Sequence, residues 1–161
     1  MSLDPQTTAW LDQEDARLAA VIREHRWAVQ YVGPGEEPGQ PAFAYTIGLF
    51  GLGHPELVVV GVGAEAAHAM LQWGAGLVGG GRDLVPGEVL AHEDGTRELV
   101  VEVCPNPGDV VLGANRWYAR PPEHSVPAYQ LAWPHRDGRY PWDDDYPCPP
   151  TCQPRPGTWA A

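Results

Sequence analysis

The apolar residues of the chain follow two periods in turn, and the changes of period mark out its elements. From Thr8 to about Arg26, Leu11, Leu18, Ile22 and His25 recur at spacings of seven, four and three, which predicts an amphipathic helix. Asp12, Glu14 and Asp15 suit its first turns, where negative charge complements the helix dipole. Trp27 to Val32 alternates as a short strand, and the Gly-Pro-rich run from Gly33 to Pro41 reads as an exposed loop. Ala42 to Phe50 is strand-like again, with Phe43, Tyr45 and Ile47 on one face. Leu57 to Gly61 is continuously apolar, which predicts a strand covered on both faces and hence the centre of the sheet.

The second half of the chain repeats the alternation of periods. Ala64 to Val78 sets Ala67, Met70, Leu71, Gly74, Leu77 and Val78 on one helical face, and Gly79-Gly80-Gly81 ends that helix. Val89 to His92 and Glu98 to Cys104 flank Asp94-Gly95, a pair that accepts the positive φ angles of a hairpin turn. Asp109 is placed to cap a short helix through Ala119, which Pro121-Pro122 stop, and Ala128 to Trp133 reads as a last strand. Beyond Pro134 the chain is rich in proline and aromatics, with a turn at Asp137-Gly138 and an end expected to fray. The elements predict an α+β fold. It comprises one domain over 1–146, with a mixed or antiparallel central sheet and two or three amphipathic helices, and a Pro-rich tail over 147–161.

Composition supports one folded core, since 161 residues that are 43% hydrophobic, with seven Trp and six Tyr, carry ample apolar area. The formal net charge of −11 repels a phosphate backbone, so nucleic acid is not an expected partner. Met1 to Gln13 lacks the basic start and apolar run of a secretory signal, and no stretch approaches the roughly 20 apolar residues that span a bilayer. The expectation is a cytoplasmic protein with no membrane partner. Three cysteines do not make a secreted disulfide framework. Cys148 and Cys152 read either as a disulfide or as two zinc thiolates, and as thiolates they lack a second pair to close a site.

Candidate chemistry falls in two places. Tyr129 to Asp143 packs Trp133, His135, Asp137, Arg139 and Trp142 around one turn, a mixture that a small-molecule or peptide site uses, and equally one that anchors a loop to a core. His54 and Glu56 follow Tyr45 at a strand mouth, where an imidazole and a carboxylate suit proton transfer or metal ligation. Gly48, Gly51 and Gly53 lack the Lys-Ser/Thr of a phosphate loop. With only Ser2 and Ser125, and no nucleophile elbow, serine hydrolysis is not indicated, and no motif names a cofactor.

Trp27, the run Phe43-Ala44-Tyr45-Thr46-Ile47-Gly48-Leu49, the Pro55-Glu56-Leu57 that follows it and the late Gln130 to Trp142 segment occur in a recognisable order. Together they resemble the bacterial family called domain of unknown function 4262, over most of Val21 to Trp142. The resemblance implies a compact bacterial domain and carries no catalytic residues. His135 departs from the acidic residue that the family's pattern more often places after Trp-Pro. Functionally, the sequence points to binding of a small molecule or protein partner where Tyr45, His54 and Glu56 meet Trp133, His135, Asp137, Arg139 and Trp142. Two alternatives stand beside it: an enzyme using His54 or His135 as acid, base or metal ligand, and a structural or accessory protein without a pocket.

Overall fold

The structure is a computed structural model that describes residues 3–37, 39–92 and 98–161. Six strands form one sheet: β1 (Ala28–Val32), β2 (Phe43–Ile47), β3 (Glu56–Val60), β4 (Val89–Ala91), β5 (Glu98–Val103) and β6 (Ala128–Ala132). Their spatial order is β1-β2-β3-β6-β5-β4. All neighbours pair antiparallel except β3 and β6, which run parallel with Glu56 beside Ala128 and Val58 beside Gln130. The sheet is thus mixed, made of two three-stranded antiparallel meanders joined along one parallel seam. The strands flanking Asp94-Gly95 do pair as a hairpin, while the turn expected at Asp94-Gly95 itself lies outside the described residues.

Helices cover both faces, and strand alternation divides the core accordingly. The helix α2 (Ala64–Gly79) lays Ala67, Leu71, Ala75 and Val78 on Ala44, Leu57, Val59, Val101 and Leu131. On the other face α1 (Pro5–His25) and α3 (Leu112–Trp117) cover Phe43, Tyr45, Ile47, Val58 and Val60. All five residues of β3 are buried, as an apolar run between two covered faces requires. Gly74 sits where α2 crosses the seam, and a Cβ there would lie 2.9 Å from Leu57 Cδ1 and 3.2 Å from Leu131 Cδ1.

Three local expectations are corrected. Helix α1 starts at Pro5, with Asp4 as N-cap accepting from the Gln6 and Thr7 N–H groups, so Asp12, Glu14 and Asp15 do not lie in its first turn. Proline at the first helical position costs no hydrogen bond, which is why the helix begins there. His25 is exposed, because the helix ends at that residue and Arg26 turns left-handed at φ 74°. Asp109 does not cap α3: Pro107 opens a single 3-10 turn through Asp109, and α3 begins only at Leu112.

The end of the chain does not fray. It holds neither helix nor strand past β6, yet Gln153 and Trp159 are buried and Trp159 joins the core against Phe43 at 5.0 Å between ring centres. Side-chain amides do the pairing that a strand would do. Gln153 accepts from the Trp133 N–H at 2.9 Å and donates to the Trp133 carbonyl at 2.7 Å. Gln130 donates to the Pro154 carbonyl and accepts from the Trp159 indole. Gly61, at φ 85°, lets the tail pass closely, since a Cβ there would stand 2.1 Å from the Cys152 carbonyl oxygen. Gly61→Ala is expected to lower stability by more than about 1 kcal/mol, through both the left-handed backbone and the blocked tail; urea unfolding midpoints measure it, and an unchanged midpoint would show that the tail does not need this passage.

Candidate functional site

The connection from β2 to β3 is wrapped around one carboxylate. The Glu56 carboxylate accepts from the backbone N–H groups of Gly48 (3.0 Å), Leu49 (2.6 Å) and Phe50 (3.3 Å), and from the Thr46 hydroxyl (3.3 Å). Thr46 in turn accepts from the Leu57 N–H at 2.9 Å, so a side chain takes over where the β2–β3 ladder stops. Gly48 permits the fold-back at φ 132°, with the Arg26 carbonyl only 2.5 Å from where a Cβ would be. Burial opposes ionisation of Glu56 more strongly than its four donors favour it, and pushes its carboxyl up to about 8.

His54 is also committed to the backbone. Its Nδ1 lies 2.8 Å from the Pro55 carbonyl and its Nε2 accepts from the Leu84 N–H at 3.1 Å, which selects the tautomer with hydrogen on Nδ1. The ring is buried and meets Tyr129 edge-on at 5.7 Å. Tyr45 faces α3 instead. Its hydroxyl accepts from the Gly113 N–H at 2.8 Å, and burial pushes its phenol above the usual range, so it keeps its proton.

The late turn lies at the far end of the sheet. Because β3 and β6 run parallel, His54 and Glu56 stand where these strands begin and Trp133 stands just past where β6 ends, roughly 15 Å of strand apart. Trp133 donates its indole N–H to the Val60 carbonyl at 2.9 Å. The turn closes on itself: Gly138 takes φ 88°, Asp137 accepts from the Arg139 N–H, and Arg139 donates to the Asp145 carbonyl. His135 Nδ1 lies 3.5 Å from Asp137 Oδ1, and its ring meets Tyr146 edge-on. Trp142 is 44% exposed, stacks on Tyr140 at 4.7 Å and has the Arg155 guanidinium 4.9 Å from its ring centre.

Two clefts receive members of the candidate set. One, of about 240 Å³, opens between α1 and α3 with Tyr45 and Gln30 in its lining, Trp10 and Trp117 beside them, and the Asp15–Arg116 ion pair, bidentate at 2.8 and 3.0 Å, across it. The other, of about 530 Å³, runs along β5 and is lined by Trp142, Arg155, Glu102, Val103 and Pro105. Sequence reasoning reached Tyr45 and Trp142 and missed their neighbours. Trp10 and Trp117 are brought together only by the packing of α1 beside α3, and no local pattern announces it. Among the described residues no three His, Cys, Asp or Glu side chains are grouped to hold a metal ion. The cysteines of the tail are joined as the disulfide Cys148–Cys152, which settles the alternative left open for them.

Glu56 generates a measurable expectation. Its folded value lies above the ordinary 4.5, so the folded state binds its proton more tightly than the unfolded chain does. Its contribution to stability is therefore complete below about pH 4.5 and is lost as pH rises toward about 8. Glu56→Gln is expected to flatten the decline of urea midpoint between those values, whereas Glu56→Ala, which strands three backbone N–H groups, is expected to cost about 3 kcal/mol or more below about pH 4.5 and less as pH rises toward about 8. A wild-type midpoint that rises across that window would refute the assignment.

No curated protein and no solved structure gives a significant match to the chain. A family model described as Domain of unknown function (DUF4262) matches residues 21–147, which is most of the chain and covers all six strands. The matched range includes Thr46, Gly48, Leu49 and Glu56, the members of one hydrogen-bonded loop. By that match the chain belongs to the family of domains of unknown function 4262.

Proposed function

We propose that this domain binds a small neutral or cationic compound in the cleft between α1 and α3, with Tyr45 as its polar anchor. The observation that carries the reading is the Tyr45 hydroxyl. Its oxygen is occupied by the Gly113 N–H, while among the described residues its own hydrogen has no acceptor, so it is free to donate to a ligand. Gly113 is what allows this arrangement, because a Cβ there would stand 2.7 Å from the hydroxyl oxygen. Trp10 and Trp117 supply flat apolar area, and Trp10 is held 59% exposed on α1, an exposure that packing of the chain itself does not explain.

Size and charge narrow the ligand. A cleft of about 240 Å³ is smaller than the usual range for drug-sized molecules, so the compound is small. Glu14 and Asp15 line it, each paired with an arginine, Arg17 and Arg116, so the lining is close to neutral, and the chain's charge of −11 disfavours an anion. Acid–base catalysis by His54 is the weaker reading, because both of its ring nitrogens are spent on backbone groups and the ring is buried. A second reading, docking of a protein partner along β5, draws on the groove beside Trp142 and on Val103, 52% exposed.

Ligand-observed NMR with a library of small aromatic amines and neutral aromatics tests the first reading. Tyr45→Phe keeps the ring and removes the hydroxyl, which is both the donor toward a ligand and the acceptor of the Gly113 N–H, so hits from the wild type are expected to weaken at least about two- to tenfold, the worth of one hydrogen bond. Gly113→Ala is expected to weaken the same hits by displacing the hydroxyl. Hits that both variants bind as well as the wild type, or no saturable hit at all, would sink the reading.

A further inference from the structure

The last nine residues are held to the domain by hooks rather than by a ladder. Gln153 clasps Trp133, Gln130 clasps Pro154 and Trp159, and the Asn106 amide donates to the Trp159 carbonyl at 2.8 Å. Arg155 makes a two-point ion pair with Glu102, and the Ala161 N–H donates to the Asp109 carbonyl. A segment fastened this way, with neither helix nor strand of its own, can open as a unit while the sheet stays closed. The family match ends at residue 147, just before this segment and its disulfide.

Beneath the segment lies the third cysteine. Cys104 is buried in the same core cluster as Trp159, and its thiol donates to the Asn106 side-chain oxygen at 3.7 Å. Asn106 therefore touches the thiol with one end and holds Trp159 with the other. Cys148 and Cys152, by contrast, are half-buried at the surface, with Cα atoms 6.1 Å apart.

We propose that Cys148–Cys152 is a thiol–disulfide exchange site whose state sets how often the strap, taken as residues 148–161 with the disulfide loop at its base, lifts off Cys104. A dithiol reductant attacks one sulfur, the S–S bond breaks, and two electrons and two protons pass to Cys148 and Cys152 as the reductant leaves as its own disulfide. None of the hooks is lost in that step, so the closed strap is unchanged. What changes is the open state. The disulfide closes the five-residue loop 148–152 at the base of the strap, which gains freedom only when it detaches together with the residues that follow, and loop-closure entropy puts the effect of releasing it on the order of thirtyfold in the open population. Covered, Cys104 is inert, with its thiol pushed up by burial. Uncovered, it becomes a second reactive position, so reduction at the surface is passed to a thiol in the core.

The test uses the full chain. Protein oxidised with glutathione disulfide, and protein reduced with dithiothreitol and freed of it without air, are pulse-labelled with iodoacetamide, and each cysteine peptide is quantified by mass. The oxidised form is expected to label slowly at Cys104 and not at all at Cys148 and Cys152, whose sulfurs carry no thiol. The reduced form is expected to label quickly at Cys148 and Cys152 and about thirtyfold faster than the oxidised form at Cys104. The double variant Cys148→Ser, Cys152→Ser is expected to match the reduced form at Cys104 without any reductant. Amide exchange of β3 is followed in parallel and is expected to stay unchanged. Three results would overturn the proposal: Cys104 labelling that reduction alters less than threefold, a rise matched by equal loss of protection in β3, or rapid labelling of Cys148 and Cys152 in the oxidised sample.

Discussion

The carboxylate of Glu56 is the constraint around which the central strands are organised. It collects three successive backbone N–H groups and a hydroxyl, and so fixes the chain from Thr46 to Phe50 against the start of β3. That loop carries the neighbouring helix with it, because the Gly51 N–H beyond it donates to the Tyr118 hydroxyl at the end of α3. The cost of burying the group is visible in its raised pKa, and the loop exists to offset that cost. Thr46, Gly48, Leu49 and Glu56 thus form one polar unit inside an apolar sheet. A carboxyl group is accommodated in this position because backbone donors surround it, and the donors are satisfied because it is there.

Where local periodicity decides the outcome, the sequence is readable. Leu57 to Val60 lies buried on both faces, as an uninterrupted apolar run requires, and α2 buries Ala67, Leu71, Gly74 and Val78 from its expected face. The hairpin strands and the α+β class follow from the same kind of signal. The beginnings of α1 and α3 were less legible, because Pro5 and Pro107 have opposite local effects: one opens a helix behind a capping aspartate, the other a single tight turn. The tail was illegible for a different reason. Its order comes from Gln153, Gln130 and Trp159, which act through contacts with distant strands and leave no periodic trace.

The candidate site was legible in part, and the division is instructive. His54 and Glu56 attract attention as titratable groups beside each other, yet each is used up by backbone partners, and titratability alone does not distinguish a reagent from a bracket. Tyr45 carries no charge and belongs to a strand that reads as core. Its place at a cleft depends on Gly113, far along the chain, and on α1 and α3, which bring Trp10 and Trp117 to the same cleft. The late turn around Asp137 reads correctly as a turn, with most of its polar groups closed on one another. The two clefts are therefore lined by aromatic side chains together with acidic residues.

The parallel seam between β3 and β6 has a bearing on how the molecule assembles. Each meander brings together strands that neighbour one another in sequence, whereas the seam pairs Glu56 with Ala128 and closes the longest loop in the sheet. The entropy of that closure is met only after the local pairings have formed, so the order of events in folding runs from two half-sheets to their docking. The contacts that reward docking are those of Leu57 with Leu131 beneath Gly74 of α2. Folding speed in this domain is accordingly expected to respond to the pairings inside the half-sheets, which precede docking, and the lifetime of the finished sheet to the contacts made once the seam has closed.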